Sequence, residues 1–186
     1  MTSRTRRIVP PVVAVLSAAL FAAGCAGEPG AAAVVNGETI SESELAETTE
    51  ALAPFLNAEV GPDLMLATMI QAPVLLDVAA EHGVAASVDE TETYLDGLSA
   101  QAQVEAPESY PAGAIEVARF LIVSGELGQS PDAQAIGAAM NEQMAELDVE
   151  ISPRYGSWDP ELAEGSAIAP AQHDWLLAPA APPEQG

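Results

Sequence analysis

The chain has 186 residues, 28 acids against 5 bases, and a single cysteine. That length allows one domain plus appendages. A net charge of −23 with no lysine excludes nucleic acid as a partner, because phosphate binding needs basic residues that displace counterions. One cysteine excludes an internal disulfide, so the fold must stand on its core alone.

Residues 1–24 hold Arg4, Arg6 and Arg7 and no acid, and from Val12 to Ala23 only Ser17 is polar. Basic-then-apolar is the layout of a secretory signal, and the run is short for a membrane span. It ends in "LFAAGC". This resembles a bacterial lipobox, in which the cysteine receives a diacylglyceryl group; Ala22 stands where leucine is usual. The alternative is an ordinary signal peptide with an incidental cysteine. An odd cysteine in an exported chain needs a role, however, and lipidation of Cys25 supplies one. Two acyl chains anchor stably where one does not, so the expected location is the outer face of a bacterial cytoplasmic membrane. All 28 acids lie beyond Cys25, with only Arg119 and Arg154 to offset them. The charge reads as a solubility device, or more sharply as a preference for basic or unfolded partners.

Residues 25–32 read as a tether. In "AVVNGETI", 33–40, apolar β-formers flank Asn36-Gly37, a hairpin signal that needs a third strand for stability. Ser41 and Glu44 form a capping box, predicting a helix from about Glu42 to Ala53. The segment 61–83 is apolar on nearly all sides, which places it centrally in a core. Pro62 suits its start and Gly83 its end, and Pro73 should kink or divide it. Ser87 and Glu90 form a second capping box, opening a more polar helix to about Gln103. Residues 112–127 form another apolar helix. Ser130, Pro131 and Asp132 predict an N-cap, a first helical position and an acid at the positive helix end. In the helix that follows, Ile136, Met140, Met144 and Leu147 make one stripe.

Then comes "VEISPRYGSWDP", 149–160, a single strand after a helical region. A lone strand cannot satisfy its own backbone, so 149–158 should pair with the hairpin and close a small sheet. Pro153 should sit at an edge or bulge. From 160 to 186 proline, alanine, glutamate and glycine predict a mostly disordered tail, with "HDWLL", 173–177, as a sticky spot. The fold class expected is mainly α with a small sheet joining an N-terminal hairpin to a C-terminal strand.

"AVVNGETISESEL" resembles the entry hairpin and first helix of the SurA- and PrsA-type chaperones, and "VEISPRYGSWD" resembles their closing strand. Ser152 stands where asparagine is usual. Asn36, Gly37, Pro153, Arg154, Tyr155, Gly156 and Trp158 carry the likeness, which spans the two ends of residues 33–159. It implies a helical domain that binds unfolded or partly folded exported polypeptides. The parvulin isomerase domain of many relatives has no counterpart here, so isomerase activity does not carry over.

No nucleophile elbow, phosphate loop or zinc pattern is present in the sequence. Neither an enzyme nor a cofactor or metal is expected. His82 reads as a helix C-terminal residue rather than a ligand. "DETETYLD" lacks EF-hand spacing and reads as a solvated helix face. Arg154 either pairs with a carboxylate to fix the strand's register or contacts a client. Met65, Met69, Met140 and Met144 form two i, i+4 pairs; they fill the core or bind varied clients. Trp158 should pack over the sheet. The expected function is a lipid-anchored, non-enzymatic chaperone-like protein, with a dedicated scaffold for one envelope partner as the alternative. An open helical cradle would suit the first; a closed bundle would leave nothing to bind with.

Overall fold

The first two strands are built around Asn36 and Gly37, whose φ angles of 50° and 84° are the left-handed values that a tight hairpin turn requires. In the computed structural model, which describes residues 29–56, 60–162 and 167–170, β1 (Ala31–Val35) and β2 (Glu38–Ser41) pair antiparallel, with Val35 opposite Glu38 and Ala33 opposite Ile40. The signal segment, Cys25 and the 173–177 spot lie outside the described residues, whereas Ala31 and Ala32, expected in the tether, already belong to β1. Ser41 ends β2 and caps α1 (Glu42–Leu52): its hydroxyl oxygen accepts from the Glu44 N–H at 3.1 Å. A 3-10 turn, Ala53–Phe55, holds Pro54 and ends the helical path.

Helix α2 (Pro62–Glu81) runs through Pro73 without a break, which corrects the expected division. Pro73 is exposed, and buried residues before it (Met69, Ile70, Ala72) and after it (Val74, Leu75, Leu76) hold both halves in register. The loss is one donor: Pro73 has no N–H to give the Met69 carbonyl one turn back. Gly83, at φ 76°, turns the chain away. Helix α3 (Val88–Ala102) is capped by Ser87, which accepts from the Glu90 N–H at 3.2 Å, and it ends at left-handed Gln103. Helix α4 (Ala112–Leu127) packs against α1, α2 and α3. A Cβ on Gly113 would overlap the Thr48 hydroxyl, so the glycine sets how closely α1 and α4 approach.

Helix α5 spans Ala133–Glu146, later than the Ser130-Pro131-Asp132 signal placed it. Ser130 instead closes a local turn: its hydroxyl accepts from the Asp132 N–H at 3.2 Å and its carbonyl from the Ala133 N–H at 3.3 Å. Such short-range side-chain bonds compete with helix initiation. The stripe on α5 holds as expected, with Ile136 and Met144 buried and Met140 and Leu147 half-buried.

Strand β3 (Val149–Ile151) pairs antiparallel with β1, giving the order β2-β1-β3 that joins hairpin to closing strand. The expected single strand over 149–158 is nevertheless two. Pro153 sits in a turn in which the Tyr155 N–H donates to the Ser152 carbonyl at 2.9 Å, the i+1 place that its fixed φ favours. Strand β4 (Ser157–Trp158) then joins β5 (Ile168–Ala169) in a separate two-stranded sheet. The folded body therefore extends past residue 159 into the expected tail, where Ala167 and Ile168 are buried.

The fold is mainly helical, with five α-helices among the described residues. α2 is their centre, touching α1, α4, α5, β1 and β5. By length and composition α2 could cross a membrane, but here most of its apolar surface is buried inside the fold. Its first half joins α1, α3, α4 and the sheet in one core cluster; its second half meets Val123 and Ile136 in another.

Candidate functional site

Where the hairpin leans over α2, the packing leaves a groove of about 490 Å³. Ile70, Val74 and Asp77 recur at i, i+4 and i+7, so one face of α2 supplies a floor of two buried apolar side chains and then an exposed carboxylate. Met69 and Pro73 extend that floor, Val35 and Ile40 of the hairpin wall one side, and Leu147 after α5 closes another. Met69 lines the groove as a 6% exposed side chain.

Four acids from four elements surround this floor: Glu38 of β2, Glu44 in the capped first turn of α1, Asp77 of α2 and Glu116 of α4. Among the described residues that line the groove none is basic. Glu116 is half-buried, and that burial pushes its carboxyl above the ordinary carboxylate range. Arg119 pulls the other way, while the charges of Glu44 and Asp77 push it further up. Arg119 itself donates from Nε to the Ala86 carbonyl at 2.8 Å. The groove can take an apolar group against its floor and present carboxylate acceptors beside it.

The motif residues at the two chain ends serve the scaffold around this groove. The Asn36 N–H donates to the Asp148 carbonyl at 2.8 Å, and Asn36 Oδ1 accepts from the Asp148 N–H at 3.0 Å. The hairpin turn is thereby fastened to the start of β3. Arg154 Nη1 lies 3.2 Å from Glu42 Oε2, and the Tyr155 hydroxyl donates to the same oxygen at 2.5 Å. The Arg154 guanidinium stands 5.5 Å from the Tyr155 ring centroid. Burial, then the bond to Glu42, pushes the Tyr155 hydroxyl up to about 12. Of the two readings of Arg154, this is the carboxylate pair. Gly156 has φ 128°, and a Cβ there would overlap the Ala169 carbonyl oxygen. Trp158 is half-buried against the first core cluster, with its Nε1 buried and without a partner among the described residues.

The methionines do not come together as a surface. Met65, Met69 and Met144 are 2%, 6% and 6% exposed, and half-buried Met140 packs on the second cluster. Only Met69 of the four reaches the groove. His82 caps α2 and its Nδ1 faces Asp132 Oδ2 at 3.7 Å. In 89–96 the acids are exposed while Thr91 and Leu95 face inward, as a solvated helix face would have it. Among the described residues no group of three or more His, Cys, Asp or Glu side chains is placed to hold a metal ion. The acidic rim was invisible by spacing, because its members come from four elements distant in sequence. The Ile70–Val74–Asp77 face was its one local trace.

Compared with known proteins, the chain matches no family model, no curated protein and no solved structure.

Proposed function

We propose that this protein is a lipid-anchored, extracytoplasmic chaperone-like protein that binds unfolded or partly folded exported polypeptides, without isomerase activity. The observation that carries the reading is the groove between hairpin and α2, whose apolar lining is reached at exposed Pro73 and at half-buried Val35, Ile40 and Leu147. The resemblance of "AVVNGETISESEL" and "VEISPRYGSWD" to the two ends of the SurA- and PrsA-type domain supports it, as do the basic-then-apolar start and Cys25. Weak apolar contact holds the client, and the acidic surface keeps the complex soluble. The test is aggregation of a chemically unfolded, exported client with and without the protein as isolated from cells. Suppression near stoichiometric ratio is expected; none, with the protein's own circular dichroism intact, refutes the reading.

One observation favours a narrower role, that of a scaffold or accessory lipoprotein for one envelope partner. A general holdase needs broad apolar surface. Here three of the four paired methionines are core, and the large exposed apolar residues among those described are Val88, Tyr94, Val104, Leu121 and Leu162, none of which lines the groove. Affinity capture from intact cells separates the two: one stoichiometric partner fits the scaffold, a broad set of exported proteins the chaperone.

A further inference from the structure

We infer that the groove selects short apolar segments carrying a lysine or arginine, with the apolar side chains against Pro73, Val35, Ile40 and Leu147 and the cation among Glu38, Glu44, Asp77 and Glu116. The inference rests on the reading that this chain binds polypeptide, and it names which polypeptide. The volume of about 490 Å³ falls in the ordinary range of ligand sites and fits a few side chains rather than a folded surface.

The argument for the occupant is charge complementarity. Four acids from four elements converge on one groove, and Glu116 is held there half-buried. Carboxylates gathered around a partly desolvated site repel one another, and an occupant of opposite charge relieves that repulsion. Arg119 acts on Glu116, yet its Nε is committed to the Ala86 carbonyl, and it is not among the groove's lining residues. A neutral or acidic segment would leave the rim uncompensated, and an acidic one would add to it. Lysine and arginine also match the layered chemistry: their apolar stems lie along hydrophobic surface while the charged head reaches polar groups.

The test uses the full protein and three labelled pentapeptides, followed by fluorescence anisotropy at low salt. One is Gly-Leu-Lys-Leu-Gly; in the others norleucine or glutamate replaces the lysine. The lysine peptide is expected to bind on the order of tenfold more tightly than the norleucine peptide, the scale of one charge-assisted contact, and the glutamate peptide most weakly. That advantage should fall to about twofold or less in a Glu116→Gln, Asp77→Asn variant, and likewise for the unaltered protein when salt shortens the Debye length to a few ångström. The salt series keeps the test valid if the variant folds poorly. Equal binding of the lysine and norleucine peptides overturns the inference but leaves polypeptide binding standing. No peptide binding with client aggregation still suppressed also overturns it, by moving the client elsewhere on the protein. No peptide binding and no suppression removes the proposed function together with the inference.

Discussion

Replacing Gly156 with alanine tests what holds β4 against β5. Gly156 sits at φ 128°, where a residue with a Cβ carries a strain of about 1–3 kcal/mol. The new methyl would overlap the Ala169 carbonyl oxygen and stand 3.0 Å from Ile168 Cγ2 and 3.1 Å from the Ala169 carbonyl carbon. Two of these three neighbours are backbone and cannot rotate aside, so β5 must move. Moving it exposes Ile168, now 4% exposed, and burial of such a side chain stabilises by about 1.5–3 kcal/mol. Alanine also stiffens the unfolded chain, which offsets about 0.4–1 kcal/mol. The expected net loss is about 2–5 kcal/mol. At a urea slope of about 2 kcal/mol/M, the unfolding midpoint drops by about 1 M or more. Because the damage passes through β5, Ile168→Ala should add little once Gly156→Ala is present, and a double-mutant cycle reads that coupling directly. A midpoint within about 0.2 M of the parent, or full additivity of the two changes, would refute this account of the tail's attachment.

Three further expectations concern the groove and the chain ends. Asn36→Ala should cost about 2 kcal/mol, since it places a Cβ without a compensating side-chain bond at φ 50° and loses the bond from the Asp148 N–H; Asn36→Gly, free of the backbone strain, should cost about half as much, as thermal melts would show. Tyr155→Phe should lose about 1 kcal/mol at neutral pH with the bond to Glu42. Because the folded hydroxyl is pushed up from 10.0 to about 12, the parent loses stability as pH climbs through that window while the unfolded chain ionises first. The gap between parent and Tyr155→Phe should therefore narrow from pH 10 toward 12 in urea titrations; a constant gap contradicts the assignment. Glu116 has the same sign: its raised carboxyl disfavours the ionised fold, so Glu116→Gln should be more stable than the parent at neutral pH. That advantage should shrink as pH falls toward the ordinary carboxylate value of 4.5, and an advantage that grows on acidification would contradict it.

Local chemistry was the readable part of this sequence. Asn36-Gly37 announces its turn because few residues tolerate two successive positive φ angles, and Ser41 and Ser87 announce their helices because each satisfies an N–H three residues on. The pairing of β3 with the hairpin followed from the need of a strand for a partner. Pro73 does not divide α2, because its cost to the helix is local while apolar residues on either side of it are buried. Ser130 misled by closing its own turn before the helix began. Strand β5 is two residues long, too short for any alternation to register, and only the missing Cβ of Gly156 makes room for it. The groove was least legible. Each of its acids looks in sequence like one more soluble charge, and only the packing of α1, α2 and α4 under the hairpin brings them together.

The strand order β2-β1-β3 also sets a clock on synthesis. β1 acquires its first neighbour within a few residues, but its second is more than a hundred residues downstream: Asn36 and Asp148, which mark the join, are 112 positions apart. Loop-closure entropy grows only slowly with such a distance, by about 0.6 kcal/mol per doubling, so the span is a delay more than an energetic obstacle. Through that delay the outer edge of Ala31–Val35 has its N–H and C=O groups open to any passing strand. The nascent chain is thus vulnerable to wrong pairing longest at the element made first, and that vulnerability ends only when Val149–Ile151 emerges behind α5.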